Sequence, residues 1–380
     1  MNTAFLWHNG RIKPWAEATV HVSTHALHYG SSVFEGERVY ATPNGPAYFR
    51  LADHTQRLFE SARVYDIAIG YSEDEISTAC LELIRANGMR SAYVRPIVFR
   101  GAGGLGVLPK QGAPVEVAIM ALDWGAYLGE AIEKGADVCV SSWHRPAPNT
   151  LPSWAKAGGN YLSSQLIAAE ARRGGYDEGI ALGHNGLLSE GAGENLFLVK
   201  KGKLLTPPTS AGILAGITRD SVIALAADLG LTLEERDLPR EALYSADEIF
   251  MTGTAAEITP VRSVDRKTVG RGEPGPITRA LQQAFFGLFD GRTEDRRGWL
   301  EYVDKEASRA VALDREDQDA AIRGRTTSST AVVPDREDQQ AAIHGRTTSS
   351  TAVVPDREDQ QAAIHGRTPQ KEPASMEVSA

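Results

Sequence analysis

An α+β fold is what the sequence predicts for residues 1–303, with a tail over residues 304–380 that does not pack. Three observations predict it. Strand-like and helical runs are mixed without regular alternation, which disfavours a doubly wound parallel sheet. Asn9-Gly10, Asn44-Gly45 and His184-Asn-Gly186 are hairpin signals, and hairpins join antiparallel strands. From Asp314 the run Asp-Arg-Glu-Asp-Gln recurs at Asp335 and Asp356, a spacing of 21 residues. Each unit carries only an isoleucine and two valines as large apolar residues, and Tyr302 is the last aromatic. Such units bury too little surface to offset the entropy of ordering, so a disordered repeat tail is expected.

Taken in order, the elements divide the folded part in two. Residues 1–124 are expected to form a smaller N-terminal α/β domain. In it Leu58, Ala62 and Tyr65 share a helix face over Asp53–Tyr65. Ser72-Glu-Asp-Glu75 is a capping box opening a helix that buries Ile76, Cys80, Leu83 and Ile84 and stops at Asn87-Gly88. Strands follow at Ala92–Phe99 and Val115–Leu122. Between them Gly101-Ala-Gly-Gly-Leu-Gly106 matches a dinucleotide-binding fingerprint, but Val107-Leu-Pro109 cannot begin the helix that fingerprint requires, so a loop is expected. Residues 125–303 are expected to form a larger C-terminal domain with the cofactor site. Its strands are read at Val138–Trp143, Gly179–Leu182 and Asn195–Val199, and its helices at Asn160–Arg172, Thr218–Leu229 and Pro276–Leu288.

Composition narrows the function. Hydrophobic residues make up 42% and charged residues 23%, the balance of a globular domain. Acidic residues outnumber basic ones 49 to 40, for a net charge of −9, which argues against a nucleic-acid partner. The two cysteines, Cys80 and Cys139, stand in apolar stretches and read as buried side chains rather than a disulfide or a metal site. The first eight residues lack the charged start and apolar core of a secretory signal, and no apolar run approaches the roughly 20 residues of a membrane span. A cytoplasmic protein without a membrane partner is expected.

Two segments carry chemistry. Lys156-Ala-Gly-Gly-Asn-Tyr161 sets a lysine among small residues just before a helical run headed by a tyrosine. Glu190-Gly-Ala-Gly-Glu-Asn195 sets a carboxylate at a strand end beside two glycines. An amine to form a Schiff base, a phenol for a ring oxygen and a carboxylate for a ring nitrogen are the groups pyridoxal 5'-phosphate needs. Gly216-Ile-Thr218 opens a helix and suits a phosphate through free amides and a hydroxyl. Gly253-Thr-Ala255 follows an apolar strand, so its amides can face a ligand. Tyr93 and Arg95 share one strand face and suit either a carboxylate ligand or a surface ion pair.

These residues, with His25-Ala-Leu-His-Tyr-Gly30, Val33-Phe-Glu-Gly36, Ala92-Tyr-Val-Arg-Pro96 and Met251-Thr-Gly-Thr-Ala-Ala-Glu-Ile-Thr-Pro260, resemble the branched-chain amino-acid aminotransferases of the class IV, or fold-type IV, pyridoxal-phosphate family. The resemblance spans about residues 4 to 303 and leaves out the repeats. It implies the two-domain fold of the D-amino-acid aminotransferase type and transamination of leucine, isoleucine or valine with 2-oxoglutarate. It makes Lys156 the Schiff-base lysine and proton shuttle, Glu190 the partner of the pyridine nitrogen and Tyr161 that of the ring oxygen. Arg57, Ile217, Thr218 and Thr254 would hold the phosphate. Tyr93 with Thr254 and Ala255 would bind the α-carboxylate, Arg95 the distal carboxylate of glutamate, and Tyr29, Phe34, Trp124 and Tyr127 would wall the side-chain pocket. The resemblance also implies a homodimer or larger homo-oligomer, with Tyr29 and the loop near Val107 reaching a neighbouring subunit's site. Ala215 departs from the proline common in the family, without removing a donor. D-amino-acid transaminase and aminodeoxychorismate lyase share the fold type, and Arg95 with Phe34-Glu-Gly36 favours the branched-chain group over both. A catalytically silent scaffold that binds a partner through its repeats is the alternative outside enzymology.

Overall fold

Two sheets with helices packed on them make up the computed structural model, which describes residues 3–123, 125 and 128–304. Trp124, Tyr127 and the repeat tail beyond Asp304 lie outside the described residues. The first sheet runs Leu300–Tyr302, Gly45–Phe49, Glu37–Thr42, Ala92–Arg100, Val115–Leu122, Phe5–His8 and Arg11–Pro14, every neighbour antiparallel. Ser32–Phe34 pairs with the far half of Ala92–Arg100, so one long strand serves two short ones end to end. The second sheet runs Leu188–Gly191, Glu178–Leu182, Ala136–Val140, Glu257–Val264, Glu248–Gly253, Asn195–Lys200, Lys203–Thr206 and Leu233–Glu235. It mixes parallel and antiparallel pairs, as an α+β chain does.

Periodicity explains the helices. Leu51–Val64 buries Leu51, His54, Thr55, Leu58, Ser61 and Ala62, a stripe at helical spacing. Glu73–Asn87 begins at the Ser72–Glu75 capping box and ends on left-handed Gly88. Both pack on the first sheet through a core that includes Val39, Tyr48, Val94 and Ile119. Helices Ile217–Asp228 and Pro276–Asp290 cover the second sheet, where Phe197 and Phe250 stack with centroids 5.0 Å apart and Phe285 joins the same core. Phe49 of the first sheet enters that core edge-on to Phe285, which binds the two layers together. Cys80 and Cys139 are both free and buried. No helix among the described residues is long and apolar enough to cross a membrane.

The strand expected at Val138–Trp143 ends instead at Val140. The Ser141 amide still donates to Ile180 O at 2.8 Å, but the Ser142 amide turns to the Glu170 carboxylate at 2.9 Å, which also accepts from the Ser141 hydroxyl, and the regular ladder stops there. The loop over Gly101–Gly112 holds no helix or strand, in keeping with rejection of the dinucleotide motif.

One residue of the first core is out of character. Glu37 is fully buried, and neither of its carboxyl oxygens has a hydrogen-bond partner among the described residues. Burial, reinforced by the charge of Glu35, pushes its pKa well above the ordinary 4.5, and the Cys80 thiol beside it is too weak a donor to reverse this. The folded chain therefore holds a proton that the unfolded chain releases above pH 4.5. Stability at this position is full below that pH and is lost as pH rises toward the folded value. Glu37→Gln should thus gain on the parent chain with rising pH, at a slope approaching about 1.4 kcal/mol per unit. Urea denaturation from pH 5 to 8 measures it, and parallel pH profiles would show Glu37 to be ionised in the fold.

Candidate active site

The break between strands Ser32–Phe34 and Glu37–Thr42 sets up one wall of a cleft. Glu35 donates its amide to Pro96 O at 2.9 Å and turns its carboxylate inward. There it takes Arg57 in a two-pronged pair, at 2.7 and 2.8 Å, and His54 Nδ1 at 2.7 Å. Burial alone would raise the Glu35 carboxyl, but Arg57 and His54 outweigh it and hold it far below its ordinary value. Arg57 spends a further N–H on Ala215 O at 2.9 Å. Gly36 is required at the break because a side chain there would collide with the Tyr93 hydroxyl.

Lys156 sits where three elements meet. Its carbonyl accepts from the Phe34 amide at 3.0 Å and its amide donates to Ser61 Oγ at 3.0 Å. Its Nζ donates to the hydroxyl of Tyr161, first residue of the Tyr161–Arg173 helix, at 2.7 Å. Phe34 packs on Tyr161 with centroids 4.8 Å apart, and the Arg95 guanidinium lies over the Phe34 ring at 4.5 Å. Arg95 donates to the Tyr93 hydroxyl at 2.7 Å, so these two share a face as the alternation of a strand requires.

Glu190 is buried at the opposite sheet. Arg145 pairs with its Oε1 at 2.7 Å, while Oε2 accepts from Asn195 Nδ2 and the Leu214 amide, both at 3.1 Å. Burial raises the Glu190 carboxyl, and Arg145 and the Leu214 amide oppose that rise without cancelling it. Asn195 also donates to Leu214 O at 3.0 Å, which ties Glu190 to the turn before the Ile217–Asp228 helix. A side chain at Gly216 would collide with Asn195 Oδ1, so glycine is required there. Gly216 caps that helix with no side-chain hydrogen bond, and Thr218 lies inside the first turn rather than at the cap. The uncapped amides suit the helix head to an anion.

Arg57, Arg145, Lys156, Tyr161, Glu190 and Asn195 line one cleft. Of the residues expected at a site, it brings together Arg57, Lys156, Tyr161, Glu190, Ile217, Thr218 and Thr254. Phe34, Tyr93 and Arg95 adjoin it through Lys156 and Tyr161. Ala255 is reached from the first sheet by Arg38, whose Nη1 donates to its carbonyl at 3.3 Å. Tyr29 is absent from this wall: it is 43% exposed and its hydroxyl donates to Leu105 O at 2.5 Å, away from its own chain's cleft. Trp124 and Tyr127 lie outside the described residues. An amine, a phenol, a paired carboxylate and an anion site around one cleft suit a flat, phosphorylated carbonyl compound.

Residues 32–264 match the amino-transferase class IV family. The chain belongs to the class IV aminotransferases. This aminotransferase is 57% identical over 302 residues to the branched-chain-amino-acid aminotransferase of Escherichia coli (strain K12), covering 79% of this chain and 98% of the relative. A crystal structure of the Escherichia coli branched-chain amino acid aminotransferase superposes with a TM-score of 0.79 at 57% identity, over 80% of this chain and all of that one. The branched-chain amino acid aminotransferase from Thermobaculum terrenum, in its PLP-bound holo-form, gives 0.75 at 40% identity, over 80% and 99%.

Sequence reasoning missed Arg145, Asn195, Glu35 and His54, which hold the expected residues in place. Arg145 stands in an irregular loop, Trp143-His-Arg-Pro-Ala-Pro148, where no periodicity marks it; an arginine among prolines and apolar residues was the only signal. Removing one partner of a buried ion pair strands the other, at about 3–5 kcal/mol. Arg145→Met should cost the cofactor-free protein on that order in a denaturant titration. Combining it with Glu190→Gln should restore part of the loss, whereas strictly additive losses would mean that the pair is not energetically coupled.

Proposed function

We propose that this aminotransferase moves the amino group of L-leucine, L-isoleucine or L-valine to 2-oxoglutarate in a ping-pong cycle, using pyridoxal 5'-phosphate and yielding branched 2-oxo acids and L-glutamate. The observation that carries the reading is the Lys156 amine hydrogen-bonded to Tyr161 at 2.7 Å in the same cleft as Glu190 and the Arg57–Thr218 anion site. The residues fit the cofactor. Thr252 Oγ1 and Arg145 Nε are buried without a hydrogen-bond partner among the described residues, and both side chains line the cleft. Burial keeps Glu190 raised although Arg145, the Leu214 amide and Lys156 oppose it, and a protonated ring nitrogen beside it would favour its charged form further.

When bound, pyridoxal phosphate supplies a carbonyl for the substrate amine and a ring that takes up the electrons of the broken Cα–H bond. Lys156 takes the Cα proton at Nζ and returns it, held in line by the Tyr161 hydroxyl. Arg57 and the amides of Ile217 and Thr218 hold the phosphate, with Thr254 beside them. The Tyr93 hydroxyl and the Thr254–Ala255 turn receive the α-carboxylate, and Arg38 steadies that turn through Ala255 O. Phe34 walls the side-chain pocket. Arg95 makes no ion pair with an acidic side chain among the described residues, so it is available to the second carboxylate of glutamate.

We infer that the working unit is a homodimer or larger. Val107 and Leu108 are 82% and 86% exposed, on a loop that His25 and Tyr29 hold by its Gly106 and Leu105 carbonyls. Sedimentation equilibrium should return at least twice the chain mass; a fully active monomer would refute this. For the reaction, Arg95→Met should depress the single-turnover half-reaction with L-glutamate far more than that with L-leucine. Loss of a charge-assisted hydrogen bond corresponds to roughly tenfold or more. Equal damage to both would place Arg95 at the shared α-carboxylate. Faster turnover of D-alanine than of any branched L-amino acid would overturn the branched-chain reading.

A further inference from the structure

Arg50 adopts φ 58° and ψ 43°, a left-handed conformation that crowds a Cβ and that glycine or asparagine enters far more readily. An arginine in that conformation points to work done by its side chain. Arg50 immediately precedes the Leu51–Val64 helix and Arg57 lies about two turns on, and both side chains reach the segment Ala215–Ser221. Arg57 donates to Ala215 O at 2.9 Å. Arg50 Nη1 reaches Ile217 O at 3.2 Å, Ser221 Oγ at 2.9 Å and Asp220 Oδ2 at 2.6 Å. The two arginines thus hold carbonyls on either side of Gly216. A trans peptide points its C=O and the next N–H in opposite directions, so drawing Ile217 O toward Arg50 sends the Thr218 N–H away from it. Arg50 does not line the cleft, and Ile217 and Thr218 do. Its guanidinium is itself fixed, by Asp53 at 2.6 Å and by the Trp299 ring at 5.3 Å.

We propose that Arg50 is a positioning residue for the phosphate end of the cofactor site. It locks the first turn of the Ile217–Asp228 helix to the Leu51–Val64 helix, so that the Ile217 and Thr218 amides and Arg57 converge on one phosphate. The proposal rests on the reading that the cleft holds pyridoxal phosphate.

The cofactor-free protein is titrated with pyridoxal phosphate and, separately, with pyridoxal, which has the same ring and carbonyl without the phosphate. Arg50→Met should weaken pyridoxal phosphate by about tenfold or more and leave pyridoxal within about twofold, the scale of one charge-assisted contact. Arg50→Gly, which relieves the backbone, should show the same selective loss, and Arg50→Lys should recover part of it. A wild-type preference for the phosphorylated ligand in the Met or Gly variant, or equal weakening of both ligands, makes Arg50 merely structural and overturns the proposal. If those variants do not fold, Asp220→Asn with Ser221→Ala removes two of the three contacts by which Arg50 holds that turn, and an unchanged preference there overturns it equally. A parent protein that binds pyridoxal as tightly as pyridoxal phosphate would instead remove the cofactor reading on which the proposal rests.

Discussion

Arg57 carries a permanent charge into a place where only 11% of its side chain meets solvent, and Glu35, fully buried, is what makes that tolerable. The pair fixes more than itself. Glu35 can reach Arg57 only because the chain breaks between Ser32–Phe34 and Glu37–Thr42, and that same break delivers Phe34 to Lys156 and opens room for the Tyr93 hydroxyl at Gly36. Arg57 then carries the constraint across to the turn before the Ile217–Asp228 helix through Ala215 O. His54, its own pKa lowered by burial, completes the array from the same helix. The Arg57 end of the cleft, the Lys156 amine and the Tyr93 hydroxyl are therefore positioned together by one ion pair.

The other end of the cleft has the opposite electrical character. Glu190 and Glu194 line it, and Glu178 is buried near them. Burial pushes Glu178 up to about 7, and burial together with Glu178 drives Glu194 well above its ordinary value. Of these carboxyls, Arg145 pairs with Glu190. The cleft thus offers uncapped amides and a guanidinium in one region and, in another, buried carboxyls whose charged forms burial disfavours. A ligand with a phosphate on one side of its ring and a protonated nitrogen on the other satisfies both, whereas a ligand of single charge satisfies one and worsens the other.

Much of this was legible in the sequence because the informative residues are short-range. Ser72 and Glu75 announce their helix within four residues, and Lys156 and Tyr161, which meet in the cleft, are five residues apart in the chain. Less legible were the pieces whose meaning is set by distant partners. Glu257–Val264 sits inside the second sheet, yet Pro260 in its middle reads as a strand breaker. Arg145 and Glu190 are far apart in the chain and meet only when the sheet forms. The Ser32–Phe34 strand is three residues long and followed by Glu-Gly, too brief for alternation to show. Glu37 begins its strand as a polar residue beside charged Arg38, and nothing local says that it faces the core.

The small Leu300–Tyr302 strand has a consequence for how the chain is made. It flanks Gly45–Phe49 at the border of the first sheet, and Val303 continues the contact by donating to Pro46 O at 2.9 Å and accepting from Arg85. Every other strand of that sheet is complete by Leu122, whereas this one emerges only after the whole second sheet has been synthesised. Chains fold as they leave the ribosome, N-terminal part first, so for most of translation Gly45–Phe49 is an unpaired border open to another strand. Nascent chains on one message are close neighbours during that interval, and mispairing along Gly45–Phe49 is the error this topology leaves open until the last strand arrives.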